Sequence, residues 1–213
     1  MVYRTTVARL DRDLQLRAHI LTCALQRVAE GGFAALTMQA LAEDAGIATG
    51  SLYRHFQGKG ELAAEVFSLA SEHELQALGA VLRGSGSPVV RLRAGLQQFA
   101  SRAWHSRQLA FALIAEPVDP AVDDRRLCYR EAYAALFVGL IEEGVQQGLF
   151  RPGPLPVIAA CLVGAISESL VGPLSPAARA ARDKGLPAPD LNTVSHCIVT
   201  FCLRAVGAEE PTP

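Results

Sequence analysis

Residues 36–56 read Leu36-Thr37-Met38-Gln39-Ala40-Leu41-Ala42-Glu43-Asp44-Ala45-Gly46-Ile47-Ala48-Thr49-Gly50-Ser51-Leu52-Tyr53-Arg54-His55-Phe56. The pattern predicts two short helices, about 37–44 and 48–55, joined by a tight turn. Thr37 opens the first, where its hydroxyl can accept from a free N–H of the first turn. Leu41, Ala45, Ile47 and Leu52 are the apolar positions that pack the pair together, and Ala42 is small where the helices cross. Gly46 stands at the turn, where a left-handed backbone costs a residue with a β-carbon about 1 kcal/mol. Thr49, Gly50, Ser51, Tyr53 and Arg54 then face outward. This is a helix-turn-helix. Its second helix has small residues at the leading end, which allow close backbone approach to a groove about 12 Å wide.

Outward from this stretch the chain reads as helix throughout. Further helices are expected at about 12–30, 57–82, 89–106, 108–115, 122–148, 157–171 and 191–206, nine in all. Gly31-Gly32, Gly84-Ser85-Gly86-Ser87-Pro88, the prolines at 152, 154 and 156, and Gly172-Pro173 mark the breaks. The segment between 173 and 190, rich in Pro and Ala, is expected to be a loop. The fold class is therefore all-α: an N-terminal helix-turn-helix head, residues 1–60, on a helical body, residues 61–213.

Of 213 residues, half are hydrophobic, ample for a sizeable core, and the net charge of −1 excludes a uniformly basic binder. The head carries seven basic and five acidic residues, the body thirteen and sixteen. Any nucleic-acid contact must come from a local site. No uninterrupted apolar run reaches the eighteen residues of a spanning helix, so no membrane is expected. The polar start, with Arg4, Arg9, Arg12 and Arg17, lacks the apolar centre of a secretory signal, which points to the cytoplasm. Arg4, Arg9 and Arg12 form either a solvated tail or an arm along the minor groove. The five scattered cysteines read as small buried hydrophobes in a reducing compartment.

The stretch from Ile20 to Leu62, with Glu30-Gly31-Gly32-Phe33, Leu36-Thr37-Met38, Ala45-Gly46-Ile47, Leu52-Tyr53-Arg54-His55-Phe56 and Lys59-Gly60-Glu61-Leu62, resembles the TetR/AcrR family of transcriptional regulators. The resemblance implies a homodimeric repressor that binds palindromic double-stranded operator DNA and is released by a small, largely hydrophobic effector held in the body. Carried over by position, it implies phosphate contacts from Thr37, Tyr53 and Lys59, with His55 close to the backbone. Gln39, Thr49, Gly50 and Ser51 would face base edges or nearby sugar. Ala48 departs from the pattern, because many members carry a Ser or Thr cap there. Two other readings stay open: a helical small-molecule-binding protein, and a regulator controlled by a partner protein with no pocket.

In the body, Tyr129, Tyr133 and Phe137 recur at i, i+4 spacing. With Phe99, Trp104 and Phe111 they are candidates for a ligand site that is apolar with polar tips. Glu168, the only charged side chain between Arg151 and Arg179, is expected to be exposed, paired across an interface, or a polar anchor in that site. The helices at about 157–171 and 191–206 present small and apolar residues that suit a two-fold four-helix interface. Glu116, Asp119, Asp123 and Asp124 read as a solvated acidic turn. No motif for enzyme chemistry is present, and no cofactor or metal is called for.

Overall fold

The computed structural model describes residues 7–208. Ten α-helices run through them in chain order, with no strand among the described residues. They are α1 (Val7–Gly31), α2 (Met38–Asp44), α3 (Thr49–Leu52), α4 (Lys59–Leu82), α5 (Pro88–His105), α6 (Arg107–Ile114), α7 (Pro120–Gln146), α8 (Leu155–Leu174), α9 (Pro176–Asp183) and α10 (Leu191–Ala205). A 3-10 turn, Phe33–Ala35, lies between α1 and α2. Of the arginines expected in a tail, Arg9 and Arg12 already belong to α1, and Arg4 lies outside the described residues.

Five of these helices begin with a side-chain cap. Thr37 accepts from the Ala40 N–H at 3.2 Å, Asp119 from the Ala121 N–H at 2.9 Å and Asp190 from the Thr193 N–H at 2.7 Å. Pro88, Pro120 and Pro176 open their helices where a missing N–H does no harm. This accounts for α9, in the segment expected to be a loop. Ser175 accepts from the Ala178 N–H, Pro176 sets the first φ, and the alanines favour helix.

Two apolar clusters organise the packing. Ile20, Val28, Leu36, Leu41, Leu52 and Phe56 fill the head, joined by Leu62 and Val66 of α4 and by Ala112 and Val122 of the body. Leu92, Leu96, Phe137, Ile141, Leu162, Leu170 and Ile198 fill the body with Leu78 and Leu82 from the other end of α4. Each fully buried Leu, Ile, Val or Phe side chain among these contributes about 1.5–3 kcal/mol. The helix α4 thus belongs to both cores and joins them as a rod.

Two further expectations need correcting. Continuing through Gly172-Pro173, α8 reaches the length and composition of a spanning helix, though only 22% of it is buried within the chain. Leu162, Ile166 and Leu170 point inward, whereas Val157, Cys161 and Gly164 stay exposed. Of the cysteines only Cys202 is buried, and burial pushes its thiol up to about 11. Cys128, Cys161 and Cys197 lie on outward faces of α7, α8 and α10.

Candidate nucleic-acid interface and ligand cavity

The helix-turn-helix is built as its sequence dictates. Leu41 and Leu52 are fully buried, and Gly46 takes φ +65°. The Ile47 N–H donates to Ala42 O at 3.0 Å, which closes the turn. With no side-chain cap from Ala48, α3 is a single turn, shorter than the helix expected over 48–55. Thr49, Gly50 and Tyr53 are exposed and Ser51 is half-buried. They therefore form one outward surface with Gln39 of α2 one helix away. Arg54 also lies there, donating to Ser51 Oγ at 3.0 Å.

Thr37 is exposed but its hydroxyl caps α2. His55 is half-buried. Exposed Lys59 opens α4, where Glu61 accepts from the Gln57 N–H and supplies the negative charge the helix end favours. The head therefore offers few cations. Arg17 is spent inside it, over the Phe56 ring at 4.9 Å and paired with Glu65.

A cavity of about 110 Å³ lies in the body between α4, α5, α6, α7 and α8. Phe99, Tyr129, Tyr133 and Phe137 line it with Phe67 and Ile166. Tyr133 meets Phe99 edge-on at 6.0 Å and donates to Ser71 O at 3.3 Å. Burial pushes its phenol pKa up. Tyr129 donates to Ser68 O at 3.0 Å. Three candidates lie outside the lining. Trp104 is covered instead by the guanidinium groups of Arg107 and Arg182, at 5.4 and 4.8 Å. Phe111 packs against the body core. Glu168 is exposed, on the side of α8 opposite Ile166 and Leu170.

The charged lining was not legible from the spacing of apolar residues. Arg102, Arg126 and Arg130 reach the cavity, with Glu74 the acid among them. Arg102 and Glu74 form a two-point pair at 2.7 Å for both bonds. Arg126 is largely buried, and that desolvation pulls its pKa down. The acidic turn is not simply solvated either. Asp119 caps α7, and the Glu116 carboxylate accepts from the Phe33 and Ala34 N–H groups, each at 3.0 Å.

Residues 20–66 match the family of bacterial regulatory proteins described as tetR. The HTH-type transcriptional repressor KstR2 of Rhodococcus jostii (strain RHA1) is 30% identical over 145 residues, which span 63% of this chain and 68% of that protein. The chain belongs to the TetR family. Another similar TetR-family protein is the HTH-type transcriptional repressor KstR2 of Mycobacterium tuberculosis (strain CDC 1551 / Oshkosh), 27% identical over 143 residues, 64% of this chain and 70% of that protein. The TetR-family fold extends beyond the head. The transcriptional regulator FadR from Bacillus subtilis, solved in complex with stearoyl-CoA, superposes with TM-score 0.70 at 17% identity, over 91% of this chain and 99% of that one.

Proposed function

We propose that this TetR-family chain is a ligand-responsive transcriptional repressor of the cytoplasm, which binds a palindromic operator as a homodimer. The observation that carries this is the outward surface of Thr49, Gly50, Ser51 and Tyr53, held over a closed apolar core. Residues 1–60 form the DNA-binding unit, supported by the first turns of α4, and residues 61–213 the effector and dimer unit. Thr37, Tyr53, His55 and Lys59 serve the phosphate backbone, and Gln39, Thr49, Gly50 and Ser51 face the groove.

The dimer is supported by what one chain leaves uncovered. Val157 of α8 is 58% exposed and Phe201 of α10 is 61% exposed. A second copy would cover these faces in a four-helix arrangement, with Glu168 at its edge.

The effector reading rests on the cavity. Its walls are apolar, its polar groups few, and its charges mainly cationic. That suits an apolar molecule with an anionic end. The cavity is smaller than the roughly 300–1,000 Å³ of ordinary ligand pockets. An effector of ordinary size would part α4, α6 and α7, and so alter how the heads are held. Linkage requires that DNA and effector weaken each other by the same factor.

Selection of bound sites from random DNA by the full chain, at stated salt, tests the reading. A two-fold symmetric site is expected, with binding weakened by an acyl-CoA such as stearoyl-CoA. Absence of any enriched site would overturn it.

A further inference from the structure

One side chain touches both the cavity and the joint between body and head. Arg126 lines the cavity and also reaches back across the connector between α6 and α7. Its Nε donates to Leu113 O at 3.0 Å, and its Nη2 to Glu116 O at 3.1 Å and Ala112 O at 3.4 Å. These include carbonyls at the end of α6, which lack partners within the helix. The side chain of Glu116, whose carbonyl Arg126 holds, grips the head. Its two oxygens accept from the Phe33 and Ala34 N–H groups. These N–H groups open the 3-10 turn, which has no side-chain cap of its own. Gly32, at φ +73°, lies where a β-carbon would collide with the Glu116 carboxylate. The glycine thus leaves room for the grip.

We propose that Arg126 and Glu116 form a relay through which an anionic group in the cavity releases the head from the body. The inference rests on the effector reading above and names the residues that carry it. Arg126 is a desolvated cation whose acidic partner, Asp123, is 57% exposed, and Arg130 adds a like charge nearby. Arg126 otherwise holds neutral groups: the three carbonyls and the face of the Phe67 ring, 5.8 Å away. A carboxylate, sulfonate or phosphate offers a guanidinium a full opposite charge and a two-point hydrogen bond, neither of which a single neutral carbonyl supplies. An anion entering the cavity draws Arg126 off Ala112, Leu113 and Glu116. The end of α6 then lacks donors and rearranges, carrying Glu116 away from Phe33 and Ala34.

Amide exchange at Phe33 and Ala34, read by NMR on the full chain, tests the relay without any known effector or operator. Glu116→Gln and Arg126→Gln should each accelerate exchange at both amides by about tenfold or more, as loss of a charge-assisted bond predicts. The double variant should be no faster than the faster single one. The Ala40 N–H, capped by Thr37 within the head, should not change. Arg126→Lys keeps the charge but not the three carbonyl bonds, and should give an intermediate rate. Wild-type exchange at Phe33 and Ala34 in both Arg126 variants would overturn the relay.

Two dyes of nearly one shape test the competing anion. Anilinonaphthalene sulfonate should accelerate the same two amides in the wild type, and uncharged phenylnaphthylamine should not. Equal effects of the two bound dyes would overturn the competition. Failure of both to bind would instead overturn the cavity reading, while the variants still decide the link between Arg126 and the head.

Discussion

The Arg27 guanidinium meets the Asp44 carboxylate in a two-point pair, Nε to Oδ2 at 2.6 Å and Nη2 to Oδ1 at 2.7 Å. Arg27 also donates to Ala40 O at 3.3 Å, so α1 is tied to the last turns of α2 just before the Gly46 turn. The hydrogen bond from Arg27 holds the Asp44 carboxyl below its usual range. A depressed carboxylate stabilises the fold fully above its unfolded pKa, about 3.9, and that contribution fades as pH falls through the folded value. Both side chains face water, so the effect is small and screened by salt. Asp44→Asn should flatten part of the acid limb of the thermal midpoint against pH, and speed amide exchange at Gly46 and Ile47. An unchanged acid limb would show that the pair does not hold the turn.

Two glycines separate backbone strain from collision. Gly46 has φ +65° and nothing within 4 Å of an added β-carbon. Gly46→Ala should therefore cost only the left-handed penalty, about 1 kcal/mol in urea unfolding. Gly144 faces the Phe150 ring directly. Gly144→Ala should cost more, about 3 kcal/mol, because a packed ring must move. Equal losses for the two would refute the distinction.

The head was legible because its signals are local. A cap, a glycine and four apolar positions suffice for a turn-linked helix pair, and Leu41, Ala45 and Leu52 are buried in consequence. The helix α9 falls in a segment whose proline content reads as loop, whereas Pro176 directly after the capping Ser175 is a helix start. Trp104 and Phe111 share apolar spacing with true lining residues. Spacing tells which face is buried, but not whether that face meets a cavity or a neighbour. Arg126 and Glu116 carry no sequence signal for their roles. Their partners, the Ala112, Leu113 and Glu116 carbonyls and the Phe33 and Ala34 N–H groups, are backbone atoms that any residue supplies.

Tyr133 ties α7 to α4 through its bond to Ser71 O and stands edge-on to Phe99. Tyr133→Phe keeps the ring and removes the bond, so stability should fall by about 1 kcal/mol. Effector affinity should change, whereas operator affinity without effector should stay as in the wild type. A matching change in effector-free operator affinity would place Tyr133 in the head–body joint rather than at the ligand.

Salt separates the two kinds of head residue. Lys59 is exposed at the start of α4, and in the proposed complex it would bring a charge to the phosphate backbone rather than a contact in the groove. Lys59→Ala should weaken binding evenly on all sequences and reduce the slope of log K against log salt by about 1. Tyr53→Phe should weaken binding evenly with the slope unchanged, because a hydroxyl releases no counterion. Ser51→Ala should instead redistribute preference among operator variants, with the slope again unchanged. The same measurement on Gln39→Ala distinguishes α2 as a reader of sequence from α2 as a support: altered preference marks the reader, and uniform weakening the support.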